Sequence, residues 1–332
     1  MADELELLRS ANPVPHHGPH FGDGPLDHDA ERRLESLLRV RPSRSLRDRL
    51  LPGPGRPRLA WGLVATAVVA ALTLTLVLSG PDTTPAVAAP RPLVVQTGST
   101  PVPLDRLAER AEQAAADGSP RLRKGTHVQS WSLGMSDDKP PITLPEERIV
   151  RWRADAGHTE LVVATDPRHP GRPVLSDEGG EPHLVDDGHV ISDRTYPPSW
   201  SDAPPHSPPP RDPARLRAYL MEARSTDTPL TTPELLDAMA TLLDNWTLGA
   251  RESATLARLL TDAEGLRPVG QVTDRLGRRG QAYVNDTRGL RRMLIMDPVT
   301  GAVLGLESTL TRPDPQYGVE EGAVMSYSAW MR

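Results

Sequence analysis

The stretch LRRMLIMDPVTGAVLGLESTL, residues 290–310, reads as two strands folded back on one tight turn. Asp297 opens the turn with a carboxylate that takes backbone N–H groups, Pro298 fixes φ at the next position, and Gly301 supplies the positive φ of a hairpin exit. The flanks Leu290–Met296 and Ala302–Leu310 have strand length and are rich in Leu, Met and Val. Working outward, Pro268–Leu276, Gln281–Asn285 and Gly322–Trp330 are further strand candidates, and Gly277-Arg278-Arg279-Gly280 is a second hairpin turn by the same logic. A GxxG loop clamps nucleic-acid backbone only between two helices, a setting missing here. The C-terminal third is therefore expected to be an antiparallel meander.

Upstream of it the period is helical. Asp212-Pro213 places a capping oxygen before a proline at the first helical position, and Thr231-x-x-Glu234 has the form of a capping box. Helices are expected over Pro213–Arg224, Thr232–Trp246 and Ala250–Ala263. Leu235, Leu236, Met239, Leu242 and Leu243 line one face of the second, and Leu256, Leu259 and Leu260 one face of the third. Further upstream the pattern alternates again, giving strands over Thr126–Leu133, Glu147–Trp152 and Thr159–Ala164, with a weaker one over His183–Ile191. Trp131 and Trp152 are the expected large core contributors. Residues 166–181 and 196–213 read as loops, the second with eight prolines; its Pro205-His206-Ser207-Pro208 fits a polyproline ligand, though a loop joining two halves of a domain needs no such role. Leu104–Asp117 carries Leu104, Leu107, Ala108, Ala111 and Ala115 at helical spacing, after a Pro/Ala-rich stalk over 80–103.

The N-terminal quarter has another character. From Leu59 to Ser79 the chain reads LAWGLVATAVVAALTLTLVLS, uncharged throughout, and about 20 apolar residues suffice to cross a bilayer. Arg39, Arg41, Arg44, Arg47, Arg49, Arg56 and Arg58 precede this stretch, whereas Arg91 alone lies within the residues just after it. That asymmetry puts the N-terminus in the cytoplasm and the C-terminal domain across the membrane. Ala86-Val87-Ala88 has the look of a peptidase site, but the arm before the span is too long for a signal peptide.

Residues 1–58 form the cytoplasmic arm, largely disordered by composition, with two short amphipathic pieces. Leu5, Leu7 and Leu8 mark the first, and Leu34, Leu37 and Leu38 the second; both are candidate partner-binding positions. The second piece, rich in arginine beside a membrane, equally suits anionic headgroups. His16, His17, His20 and His28 lie in a Gly/Pro tract between them without the spacing of a metal site.

Composition narrows the chemistry. The chain of 332 residues holds 36 Pro, 26 Gly and one Phe, has net charge -6 and contains no Cys. Disulfides, thiolate metal sites and cysteine nucleophiles are therefore excluded, and nothing in the exported part suggests nucleic-acid binding. Basic residues are almost all Arg; only Lys124 and Lys139 are lysines. Ser136-Asp137-Asp138-Lys139 matches S-x-x-K, but its partner motifs do not follow. No nucleophile elbow, H-E-x-x-H, Walker loop or dinucleotide fingerprint occurs. The acidic pairs Asp137/Asp138, Glu146/Glu147 and Asp186/Asp187 read as solvated loop charges, and His127, His158, His169, His183, His189 and His206 as scattered surface residues. No cofactor and no catalytic residue is expected.

Four features together resemble an actinobacterial family of single-pass membrane proteins of unknown function. They are the opening Asp3-Glu4-Leu5-x-Leu7-Leu8-Arg9, the arginine-flanked span, the helix before Gly125-Thr126-His127-Val128, and the hairpin Asp297-Pro298-x-Thr300-Gly301-x-Val303-Leu304-Gly305. Genes of that family commonly lie beside those for extracytoplasmic-function sigma factors, which implies a membrane regulator of anti-sigma type. The expected fold class is α+β: one transmembrane helix plus an extracytoplasmic antiparallel meander packed on helices, similar to lipoprotein carriers. Three roles follow. The first is a regulator whose arm binds a sigma factor; the second is a tethered carrier or scaffold for a lipid or other hydrophobic envelope component; the third is an enzyme, for which no residues can be named.

Overall fold

The computed structural model describes residues 90–135, 139–153, 157–198 and 207–331. The chain divides into two units, Met1–Ser79 and Gly80–Arg332, and every described residue belongs to the second. The arm with Leu5, Leu7, Leu8, Leu34, Leu37 and Leu38, the span at 59–79, the possible cleavage point after Ala88, and Ser136–Asp138 lie outside the described residues. No helix among the described residues is long and apolar enough to cross a membrane.

The domain is α+β and dominated by an antiparallel sheet. Helix α1 (Leu104–Ala114) leads into β1 (Arg123–Gly134), β2 (Ile142–Trp152) and β3 (His158–Ala164), a small hairpin β4 (Val174–Ser176) and β5 (His183–Val185), and β6 (His189–Tyr196). Helices α2 (Pro213–Ala223), α3 (Thr232–Leu243) and α4 (Ala250–Leu260) follow, with the short strand β7 (Trp246–Thr247) before the last of them. The chain ends in β8 (Arg267–Thr273), β9 (Arg279–Thr287), β10 (Leu290–Met296), β11 (Val303–Leu310) and β12 (Val324–Trp330). These strands form a 10-stranded sheet in the order β6-β3-β2-β1-β12-β11-β10-β9-β8, with β7 beside the start of β1. Two meanders are thus fused where the first long strand meets the last, Val128 opposite Trp330 and Trp131 opposite Tyr327.

The hairpin at 290–310 forms as its chemistry dictates. The Asp297 carboxylate accepts the N–H groups of Val299 and Thr300 at 2.9 and 2.7 Å, and Gly301 adopts φ 65°. The runs MLIM and AVLGL are continuously apolar because both faces of these strands are covered. On one face Leu294, Met296, Val303 and Leu306 meet Leu107, Leu220, Leu236 and Leu256 from the helices. On the other, Met293, Ile295 and Leu304 join Trp131 and Tyr327 beneath Leu93 and Val95.

That second cover comes from the last part of the segment read as a stalk. Leu93 N–H donates to Glu307 Oε1 at 2.8 Å, Gln96 N–H to the Gln271 carbonyl at 2.8 Å, and Gln271 N–H to Ser99 Oγ at 3.0 Å. Residues 93–99 therefore lie along β8 and against β11.

Some boundaries depart from the expected ones. The helix from Thr232 ends at Leu243, and Trp246, expected on it, pairs with Lys124 and Gly125 as β7. The Asn245 side chain donates to the Thr241 carbonyl at 2.8 Å while the Asn245 carbonyl accepts Gly125 N–H at 2.7 Å, so this residue ends the helix and starts the strand. The strand expected over 183–191 is two, parted at Gly188 with φ 86°, and β4 lies inside the expected loop 166–181. The second hairpin turn starts three residues earlier than expected, spanning Asp274–Arg278, and Gly280 is within β9. Trp131 is buried as expected; Trp152 is only half-buried.

Candidate functional site

The strand register builds one site from residues that sequence spacing keeps apart. On β1, side chains alternate between the two sheet faces, so Gly125 and His127 share a face, while a bulge at Lys124/Gly125 breaks the alternation before them. On β2, Arg151 stands opposite Gly125 and Ile149 opposite His127. Gly125 is required by the close approach of β1 to β2: a Cβ there would lie 2.4 Å from the Val150 carbonyl oxygen, and φ is 111°. Around it lies a cleft of about 450 Å³ lined by Arg123, Lys124, His127, Arg151, Trp152 and Thr247, among others.

The charges in this cleft are unbalanced. Arg123 and Arg151 are exposed and form no ion pair with a carboxylate among the described residues. Lys124 has aromatic neighbours in place of a counter-ion: its Nζ lies 3.6 Å from the Trp152 ring centroid and 5.8 Å from that of Trp246. Burial pushes its ammonium below the usual lysine range. His127 is held by Glu147 across the strand pair. The Thr247 hydroxyl is engaged, donating to the Gly125 carbonyl at 2.9 Å.

From Lys124 a stack runs outward across four strands. Trp152 lies on His158 with centroids 4.5 Å apart, and His158 on Tyr196 at 4.7 Å. Beside this ladder, Arg148 donates to Glu160 at 2.8 Å and to the Asp244 carbonyl at 3.3 Å. The bond from Arg148 keeps the Glu160 carboxyl below its usual range despite partial burial.

Comparison with models of protein families and with curated proteins finds no match.

The residues singled out from sequence fall in several places. Glu146 and Glu147 are not on a loop but on β2, facing opposite sides of the sheet: Glu147 meets His127, whereas Glu146 is half-buried and pushed up by that burial and by Asp177. Asp187 is structural, its carboxylate accepting from Thr165 Oγ1 and Gly171 N–H at 2.6 Å each. His158 is buried in the ladder, while His169 meets Asp166 at 3.5 Å and His189 meets Glu178 at 2.8 Å. No group of three or more potential metal ligands occurs among the described residues. Of Gly125-Thr126-His127-Val128, the first three residues line the cleft and Val128 is buried in the core against the helices.

The basic cleft itself was not read from sequence. One signal was there, a lysine in an arginine chain two residues before an expected strand. Its partner Arg151 is identified only by the β1–β2 register.

Proposed function

We propose that this chain is a single-pass membrane regulator of anti-sigma type. Its arm, through Leu5, Leu7, Leu8, Leu34, Leu37 and Leu38, binds a cytoplasmic transcription factor, and its outer domain recognises a signal in the cleft over Gly125. The observation that supports this is the docking of residues 93–99. The segment leading from the span is held to β8 and β11 by Leu93, Gln96 and Ser99 rather than hanging free. A change in the sheet would therefore reach residues 93–99 directly.

A carrier has the same sheet-on-helix plan but needs a hollow for its cargo. Here Leu107, Leu220, Leu236, Met239, Leu256 and Leu260 are each 0% exposed where sheet and helices meet. The hollow beside Trp246 and Trp330 measures about 20 Å³, no more than a water-sized group fills. Packing thus favours recognition at the surface over transport inside.

The test is a two-hybrid screen of the full chain, tagged at its N-terminus, against the host's sigma factors. At least one partner is expected, and replacing Leu34, Leu37 and Leu38 with Asp should abolish its signal. A screen without any partner refutes the regulator.

A further inference from the structure

We infer that the cleft over Gly125 binds a phosphate-bearing ligand, gripped by Arg123, Lys124 and Arg151. This names the ligand class of the recognition surface proposed above and rests on that proposal.

Three cations line one opening at the ends of β1 and β2, Lys124 from the sheet face that carries Trp152 and Arg151 from the other, without a carboxylate partner among the described residues, in a chain whose net charge is -6. Like charges gathered this way repel unless an anion joins them. A single carboxylate would neutralise one of the three; a phosphate dianion neutralises two and offers enough oxygens for both guanidinium forks. Lys124 adds a point charge at the inner wall, fixed over Trp152 at 3.6 Å. The volume, about 450 Å³, falls within the range of small-molecule sites. The Trp152 indole Nε1 is buried, so it is out of the ligand's reach. Both faces of its ring are already occupied, by Lys124 and by His158, so the ligand is held by its charge and not by stacking.

Two sources carry this chemistry: a soluble sugar phosphate and the phosphomonoester headgroup of phosphatidic acid. The experiment titrates the full chain, in a neutral maltoside detergent, with glucose 1-phosphate and separately with short-chain phosphatidic acid, against short-chain phosphatidylcholine as control. Tryptophan fluorescence and calorimetry report binding. Saturable binding of either anionic probe is expected, weakening as salt rises, and the probe that binds identifies the source. Arg123→Ala and Arg151→Ala should each weaken it about tenfold, the loss of one charge-assisted hydrogen bond. Arg288→Ala, on the exposed β9–β10 turn, should leave it unchanged.

Failure of both anionic probes to bind overturns the inference, as does binding that the Arg123 and Arg151 variants leave intact. Either failure leaves the arm's partner in the two-hybrid screen untouched. A screen without a partner, in turn, leaves the binding result standing.

Discussion

Leu93 and Glu307, 214 residues apart in sequence, are joined by a 2.8 Å hydrogen bond from the Leu93 N–H to the Glu307 carboxylate. The same carboxylate pairs with Arg275, and the two side chains are 1% and 5% exposed. Arg275 also donates to the Arg91 carbonyl at 2.9 Å, so one buried ion pair holds the entering chain at two points. Removing one partner leaves the other charge buried and uncompensated, which costs about 3–5 kcal/mol. Glu307→Ala in the full chain should lower unfolding stability in denaturant by that order and speed amide exchange at Leu93 and Gln96. A loss below about 1 kcal/mol would show the pair to be replaceable by water.

Gly301 carries two demands at one position. Its φ is 65°, and a Cβ would lie 2.6 Å from Ala111 Cβ and 3.3 Å from Ala257 Cβ, where the β10–β11 turn meets α1 and α4. A left-handed non-glycine residue costs about 1–2 kcal/mol, and overpacking adds about 1–3 kcal/mol. Gly301→Ala should therefore destabilise by about 2–5 kcal/mol. Trimming the facing methyl with Ala111→Gly should restore the packing part only, which denaturation of the single and double variants will separate.

Asp166 predicts a pH dependence. Burial resists its ionisation, but hydrogen bonds from the Arg168 guanidinium at 2.6 and 2.9 Å and from the Arg168 N–H at 3.1 Å outweigh it, and the net pKa is lowered. A depressed carboxylate contributes stability that is present above its unfolded value, 3.8, and is lost as pH falls through the lower folded value. Asp166→Asn should cost about 1.5–3 kcal/mol at neutral pH, and the gap to the parent should close as the solution is acidified below pH 3.8. A gap that is constant with pH would assign the loss to packing around Trp131, over which Arg168 lies.

What could be read from sequence follows the range of each interaction. The C-terminal strands were legible because Asp297, Pro298 and Gly301 act on their own neighbours, and the Thr231–Glu234 box, joined at 2.8 Å through the Thr231 N–H, is local in the same way. Trp246 misled because it follows Leu242 and Leu243 at helical spacing, while its place is decided by pairing with Lys124 more than a hundred residues away. Strand β4 is too short to show a period. The cleft was illegible because Arg123 and Lys124 precede the expected start of β1, and only the register brings Arg151 opposite Gly125. The dual cover of β10 and β11 was half visible, since their apolar runs indicated burial without naming residues 93–99 as the lid.

The two fused meanders should differ in local stability, and the aromatic ladder decides how. Neither hydrophobic core includes a residue of β2, β3 or β6; Val128 and Trp131 on β1 are the last strand residues it reaches in that direction. Beyond them the sheet relies on its backbone ladder, on the separately buried Leu144, Val150 and Ala164, on Arg148 bridging to Glu160, and on Trp152, His158 and Tyr196 stacked one per strand. A stacked pair contributes about 0.5–1.5 kcal/mol beyond burial, and each pair here joins neighbouring strands. Trp152→Ala breaks the stack at its inner end and removes the ring beneath Lys124. Hydrogen exchange should then quicken through β2, β3 and β6 while β9 to β11 keep their protection, the pattern of a local opening and not of global unfolding. A Trp152/His158 double-mutant cycle should return a coupling of about 1 kcal/mol. Equal loss of protection in both meanders would mean that the pairing of β1 with β12 makes them one cooperative unit, and that the ladder merely decorates it.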